Sequence, residues 1–542
     1  MRSAEHWKTR TRRARGNVER FRRERDAEAL GAYLEDAAHT PGGHSPEVCF
    51  PTNEAEVAAV LAGGIPVLPI AAQSSLTGGA TPFGEVLLSV SRLQERSCAG
   101  GKMRAGAGVI LRDLDELLAS NGSYFPPIPT YDGASVGGVI STCAAGAATF
   151  KHGTTRGWVQ ELTVVLACGE VLDIVRGEVV AHPRGYFEIE RSGGEPLRVP
   201  VPLGAHPDVP KSSAGYWSDP ELDLIDLFIG AEGTLGVVVE AVLGLSRPRP
   251  SWLAALVPVA DDGAAVALTT ELREEARSAR RTGNPCSLDI SAIEYMDARC
   301  LEVLRQDRVP ERVGVTIPAS ARALLLLQAE LPAGFDRTRA YHELSQAYAG
   351  DVDGPVARLC RILERHGALG DAIPALPGEE DRRLALFALR EAVPEGVNRR
   401  VREVQRSAAP KVSKSGGDVI VPYERFEESL RRYRAVLGES GLDAAIWGHI
   451  SDGNVHPNVL ARSDEEMDRA RRAQLAIGEI AIELGGSPMA EHGTGRNPIK
   501  KTLLEKLHGR AGVASMRAVK RSLDPHWQLA PGVLFDVEES PR

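Results

Sequence analysis

An α+β fold in two substantial domains is what this sequence predicts, and three observations carry the prediction. The chain has 542 residues, more than one hydrophobic core usually serves. From about Val48 to Leu245, short Val, Ile and Leu runs alternate with glycine clusters and amphipathic stretches. Then RPRPSW, Arg247 to Trp252, places two prolines in a basic, turn-prone run that interrupts any helix or central strand, and beyond it the texture changes. In the first part, Glu54 to Leu61 reads as a helix, and Val67 to Ile70, Val86 to Val90 and Leu162 to Ala167 read as strands. In the second, Arg382 to Arg390 and Asp468 to Leu484 have helical composition, while Asp418 to Val421 and Ala444 to Gly448 read as strands. The organisation expected is a charged helical segment over 1–45, one domain over 46–248 and another over 249–542, with no internal repeat.

Composition narrows the classes of function. Hydrophobic residues make up 43% and charged residues 25%, the balance of a soluble globular chain. A formal net charge of -9 argues against a nucleic-acid partner, which needs a basic surface. The cysteines (Cys49, Cys98, Cys143, Cys168, Cys286, Cys300, Cys360) lie far apart with no CxxC pair, so neither an iron–sulfur cluster nor a disulfide framework is signalled. Arg10, Arg12, Arg13 and Arg15 lead into no apolar stretch, which argues against an export signal, and Glu5, Glu19 and Glu24 count against a mitochondrial one. No segment has the roughly 18 apolar residues that span a bilayer. A cytoplasmic chain is expected, and peripheral membrane association or a homo-oligomer is compatible with it.

Three loops carry the first chemical signal. AAQSSLTGGATP, Ala71 to Pro82, packs small and hydroxylated residues after a strand, and such a loop lets backbone N–H groups and hydroxyls approach a phosphate. Alone it is as readily an ordinary turn. GASVGGVISTCAAG (Gly133 to Gly146), followed by KHGTTRGWV (Lys151 to Val159), and IGAEGTLGVVVE (Ile229 to Glu240) repeat its character, so three loops could converge on one large cofactor. Their order resembles the vanillyl-alcohol-oxidase (PCMH) type of flavoprotein, which implies FAD held between two α+β subdomains. By that resemblance Gln73, Ser74, Ser75, Thr77 and Gly78 hold the pyrophosphate, Ser135, Gly138, Thr142, Gly146 and Thr154 line the next stretch, and Glu232, Gly233 and Val237 complete the site. The chain departs from the pattern at Ala71, Ala72 and Gln73, where a glycine triplet is usual, and at Cys143, where Asn is common. With no His or Cys in the first loop, the FAD is expected to be non-covalent.

The second signal is WGHISDGNVHPNVL, Trp447 to Leu460. Asp-Gly is a hairpin-turn signal. If Asp452 and Gly453 form the loop, His449 sits directly opposite His456, with Cβ atoms about 5 Å apart, and Asn458 shares their face. Two opposed imidazoles suit a divalent metal better than a bare surface pair, since both would repel when charged. In AEHGTGR, Ala490 to Arg496, Glu491 could add a carboxylate ligand, the set of a catalytic zinc site with an open position, although manganese or iron fits the same donors.

The two segments resemble the C-terminal domain of FAD-linked D-lactate, D-2-hydroxyglutarate and glycolate dehydrogenases, whose pattern is HxxDGNxHxN and later EHGxG. That resemblance implies an α+β substrate (cap) domain with an antiparallel sheet, metal ligands at His449, His456 and Glu491, and a proton-accepting His492. LFALRE (Leu386 to Glu391) is similar to the segment whose arginine grips the substrate carboxylate, here Arg390. Lys414, in KSGGDVIVP, is a further candidate, although the family's basic residue stands where Gly416 is, and a solvated lysine is the other reading.

The implied reaction is oxidation of a D-2-hydroxy acid to the 2-oxo acid, with the hydroxyl proton passing to His492 and hydride to flavin N5. An external acceptor, whether quinone, cytochrome, electron-transfer flavoprotein or oxygen, would reoxidise the flavin. Two alternatives remain at this point. One is an FAD-dependent transferase resembling alkylglycerone-phosphate synthase, and the other is a non-catalytic flavin-binding subunit of a larger complex.

Overall fold

The computed structural model describes residues 6–18, 21–127, 129, 131–347, 352–407 and 412–537. The chain divides into two units, one of residues 1–146, 153–246 and 487–542, the other of residues 147–152 and 247–486.

In the first unit, Asn53 caps the helix Glu54–Leu61 by accepting from the Glu56 backbone, and that helix leads from the strand Val48–Phe50 to Val67–Ile70. Val86–Ser89 inserts between these two strands, parallel to both, and Arg22–Glu24 adds antiparallel at the edge. A five-stranded antiparallel sheet follows, ordered Arg96–Ala99, Lys102–Gly106, Val237–Gly244, Val159–Val165, Val171–Val175. Val57, Leu61, Val86, Leu88, Val165, Val171 and Val237 share one core. The unit is therefore α+β, as expected.

Two expectations are corrected here. The first concerns the basic N-terminus, which does not form the expected helix among its described residues. Lys8–Arg10 pairs parallel with Tyr186–Glu190, and helical turns are confined to Ala27–Leu30 and Gly31–Tyr33. The arginine charge is used across the fold, not along a helix: Arg12 pairs with Glu54 at 2.6 Å and with Asp173 at 2.5 Å. Glu5 and Glu19 lie outside the described residues.

The second concerns the tail, since residues 487–542 group with the first unit, not with 249–486. The reason is backbone pairing. Val67 N donates to Gln528 O and Ala530 N donates to Val67 O, each at 2.8 Å, so the tail adds a bridge beside the strand Val67–Ile70. Two helical stretches within Pro498–Leu523, kinked at Gly509, lead there. At their end, fully buried Lys520 pairs with Asp524 and donates to the carbonyls of Thr234 (2.6 Å) and Leu529 (2.9 Å).

The second unit is built on one eight-stranded antiparallel sheet. Its strand Ser251–Val259 (SWLAALVPV) is apolar at nearly every position because both faces are covered. Leu253, Ala255 and Val257 enter one core with the helices Asp262–Thr282, Pro355–Arg365, Phe426–Glu439 and Asp464–Glu483. Ala254 and Leu256 enter the other with Ala298–Gln306 and Glu380–Ser407. Met296, Ala445 and Trp447 belong to that second face, which His449 and His456 share by strand parity.

Lys520→Met should leave the Asp524 carboxylate buried without its cation and cost about 3 kcal/mol of stability. The measurement is a urea or thermal unfolding curve, and an unchanged midpoint would show that the tail is anchored without this pair.

Candidate active site

The three glycine-rich loops meet in the first unit. Gln73 and Gly78 adopt φ values of 50° and 74°, and Gln73 Nε2 closes the first loop by donating to the Tyr33 and Ala80 carbonyls at 2.9 Å each. Ser75 Oγ and Thr77 Oγ1 lie 3.1 Å apart, while Ser74 is exposed. In the second loop, Ser135 caps the helix Val136–Ser141 through Gly138 N (3.4 Å), and Thr142 Oγ1 donates to Gly138 O (3.0 Å). A Cβ on Gly138 would lie 3.4 Å from Ala71 Cβ, so the first two loops touch through small residues. Glu232 N donates to Ser141 O at 2.7 Å and Gly230 N to Ile140 O at 3.0 Å, which ties in the third. Thr154 Oγ1 accepts from the Cys143 thiol, Gly146 is buried, and Gly233 (φ 72°) packs on Pro69 just before the strand that starts at Val237. Small residues and left-handed glycines fit the close backbone approach that a dinucleotide pyrophosphate needs.

Glu232 does more than line this cluster. Its carboxylate accepts from Thr494 N and Gly495 N, both at 2.8 Å, so the side chain is committed to the loop Ala490–Arg496. Burial pushes its carboxyl up to about 7, against the pull of those two donors, Lys500 and Lys501. The same loop rests on the first one. Arg496 N donates to Thr77 O (3.0 Å), and a Cβ on Gly495 would stand 2.2 Å from Thr77 Oγ1.

Glu491 and His492 are held from a segment with no obvious sequence signal. The side chain of Lys211 is fully buried and donates to Glu491 Oε2 at 2.8 Å. Ser213 N donates to Met489 O, and Gly493 N donates to Ser213 Oγ, both at 2.9 Å, so Lys211 to Ser213 grip the chain on either side of the pair. His492 Nε2 lies 3.6 Å from Glu491 Oε1, and its side chain is 25% exposed against 8% for Glu491. The histidine is thus the more accessible of the two side chains, and the carboxylate the better anchored.

In the second unit the hairpin forms with a different register from that expected. Ala444–His449 pairs with Asn454–Val459, and His449 stands opposite Asn454 while His456 stands opposite Trp447. The turn is not Asp452-Gly453 alone, because Ile450–Asp452 make a 3-10 turn that ends at Gly453 (φ 87°). A two-residue displacement keeps the same face, so the rings still meet, with centroids 5.5 Å apart and planes at 87°. Asp452 Oδ1 accepts from Asn454 N at the turn, and Asn454 Nδ2 donates across to Val419 O at 2.9 Å and to Asp418 Oδ1 at 3.3 Å.

Each histidine turns Nδ1 toward a buried carboxylate, His449 to Glu294 Oε2 (3.1 Å) and His456 to Asp418 Oδ1 (3.5 Å). Such backing carboxylates orient metal-binding imidazoles and leave Nε2 for the ion, so the donor set fits a divalent metal. Arg390, on the helix Glu380–Ser407, donates through Nε to Glu294 Oε2 at 3.0 Å. Burial would raise the Glu294 carboxyl, but Arg390 and His449 outweigh it and hold it at about 2. Asn458 Nδ2 donates to His456 O, and its buried Oδ1 has no hydrogen-bond partner among the described residues. That oxygen occupies the space over Gly416, where a Cβ would come within 2.5 Å of it. Lys414 is half-buried and forms no ion pair among the described residues, and burial pushes its ammonium down to about 8.

Residues 263–534 match the family described as FAD linked oxidases, C-terminal domain, and residues 46–174 match the FAD binding domain family. The chain belongs to the FAD-linked oxidases. This oxidase is 28% identical over 509 residues to the glycolate oxidase subunit GlcD of Bacillus subtilis, covering 91% of the chain and 90% of the relative. It is 27% identical to a D-lactate dehydrogenase of Archaeoglobus fulgidus (90% of each chain) and 26% identical to a D-2-hydroxyglutarate dehydrogenase of Xanthomonas citri (91% and 90%). An alkyldihydroxyacetonephosphate synthase shares the fold, with a TM-score of 0.57 at 13% identity over 94% of this chain and 83% of that one. Among the described residues of this FAD-linked oxidase, no helix is long and apolar enough to cross a membrane.

Sequence reasoning missed Glu294, Asp418 and Lys211 as site residues. Glu294 carried a usable signal, a carboxylate between Ile293 and Tyr295 in the apolar second half of its strand. Lys211 carried none, lying in an irregular loop.

The Glu232 carboxyl, raised above its unfolded value of about 4.3, stabilises the fold most below that pH, and the contribution is lost as pH rises through about 7. Urea midpoints of the wild type should therefore fall between pH 5 and pH 8 by a component absent from Glu232→Gln. An equal fall in the variant would assign the pH dependence elsewhere.

Proposed function

We propose that this FAD-linked oxidase converts a D-2-hydroxy acid of the lactate, glycolate or 2-hydroxyglutarate kind into the 2-oxo acid. FAD would be held without a covalent bond by the three-loop cluster, and a divalent metal, zinc by donor type, by His449, His456 and Glu491. The observation that carries the reading is Arg390: its Nε is tethered to Glu294, and its guanidinium makes no other hydrogen bond among the described residues. The two Nη groups are thus left to grip a carboxylate as a fork, on the same sheet face as His449 and His456.

When bound, FAD takes up a hydride equivalent from the substrate carbon, and the metal lowers the pKa of the substrate hydroxyl. His492 accepts the hydroxyl proton. Asn458 offers Oδ1 as an acceptor that orients the hydroxyl, and Lys414 adds a second cation for carboxylate groups. An external acceptor, whether quinone, cytochrome, electron-transfer flavoprotein or oxygen, completes the cycle.

The deciding experiment mixes the purified yellow protein anaerobically with D-lactate, glycolate and D-2-hydroxyglutarate and follows flavin absorbance. Bleaching by at least one acid is expected, with loss on chelation and recovery on adding Zn2+ or Mn2+. No bleaching by any of the three would favour transferase chemistry or a non-catalytic flavin subunit. Metal-free protein that bleaches at the full rate would remove the metal from the reading. His492→Ala should keep its flavin and slow bleaching by about 10²–10⁴-fold, and a fully active variant would take the base role from His492.

A further inference from the structure

We infer that Glu294 is a positioning residue that sets both the metal-binding imidazole of His449 and the carboxylate-binding guanidinium of Arg390 through one oxygen atom. The inference rests on the function proposed above and adds to it a residue with no direct contact to substrate or metal.

The geometry comes from the sheet. In the strand Asp289–Met296, Ile293 and Tyr295 point into the larger core, so Glu294 and Met296 face the other side, where Trp447 and Leu389 pack. Glu294 is paired in register with His449 on the neighbouring strand, and cross-strand partners stand about 5 Å apart at Cβ. Arg390 reaches the same place from the helix above that face. Both contacts end on Oε2, 3.0 Å from Arg390 Nε and 3.1 Å from His449 Nδ1. The side chains of Glu294 and Arg390 are only 6% and 5% exposed.

A buried ion pair of this kind is poor evidence of a stability role, because apolar side chains of similar volume usually serve a core as well or better. What the pair supplies is orientation. Glu294 Oε2 stands 3.1 Å from His449 Nδ1 as a charge contact, not an aligned hydrogen bond, and a carboxylate on that side of the ring favours the orientation that turns Nε2 away from it, toward a metal. The same oxygen, holding Nε, fixes the plane of the guanidinium and aims its Nη edge away from the carboxylate. Metal and carboxylate groups are therefore registered to one atom, and a shift of Glu294 would misplace both.

The test uses full-length flavoprotein and two probes: Zn2+, by competition with a chromogenic chelator, and propionate, a carboxylate without the hydroxyl, by perturbation of the flavin spectrum of metal-free protein. Glu294→Gln keeps volume and one acceptor oxygen but loses the charge. Expected are a Zn2+ affinity lower by about 10–100-fold and a propionate affinity lower by about tenfold, with flavin content and circular dichroism unchanged. Because removing one member of a buried pair destabilises, Glu294→Gln is also combined with Arg390→Met. The double variant should retain the Zn2+ loss and show no propionate loss beyond that of Arg390→Met alone.

A folded Glu294→Gln within twofold of wild type on both probes would overturn the proposal, and loss of only one affinity would overturn the shared role. Wild-type protein that binds propionate but no Zn2+ would instead refute the metal in the proposed function, and the propionate arm would then decide the action of Glu294 on Arg390.

Discussion

Burying an ionised side chain is costly unless its partner is buried with it, and this constraint governs where the functional groups of the chain can stand. Glu294 is tolerable inside the second unit because Arg390 meets it, and Glu491 inside the first because Lys211 does. Lys151, on a short helix contributed by residues 147–152, neutralises Glu330 within the second sheet, and His152 meets the same carboxylate at 2.6 Å. In each case the neutralising residue comes from a distant part of the sequence, so the pairs also act as clasps. The candidate chemistry grows out of these matched charges, since a fixed carboxylate can aim an imidazole or a guanidinium that would otherwise sample several rotamers.

The periodic parts of the fold were legible from residues alone. The helix Glu54–Leu61 and the strand Val67–Ile70 fall where their patterns place them, because apolar patterning is a local signal. The antiparallel sheet of the second unit came from the family resemblance, since a strand such as SWLAALVPV, covered on both faces, shows no alternation to read. The basic N-terminus was misread as a helix because its charge pattern could not say that Arg12 answers Glu54 and Asp173 across the fold.

The candidate site divides along the same line. His449, His456 and Glu491 were visible because their types and spacings are unusual, and His492 and Arg390 came through the family resemblance, whereas the groups that hold them were not visible. The hairpin shows why. Asp-Gly announced a turn, but whether the loop is two residues or four depends on the 3-10 turn at Ile450–Asp452, and only the parity of the displacement kept both histidines on one face. Of the pair that looks like chemistry in the HxxDGNxHxN pattern, Asp452 Oδ1 accepts from Asn454 N at the turn, and Asn454 Nδ2 donates to Val419 O on the neighbouring strand and to Asp418 Oδ1. Lys211 is the opposite case, an unmarked loop lysine whose entire side chain is buried against Glu491.

The return of residues 487–537 to the first unit bears on how the protein is made. Backbone groups of Val67 are answered by Gln528 and Ala530, so a strand laid down early in synthesis waits for partners translated more than 450 residues later. The second unit, apart from residues 147–152, is one continuous stretch and can close while the ribosome is still working. The flavin-binding unit cannot, and neither can the loop that carries Glu491 and His492. An N-terminal fragment released early would hold the flavin loops without the segment that rests on them, so chemical competence arrives only with the last part of the chain.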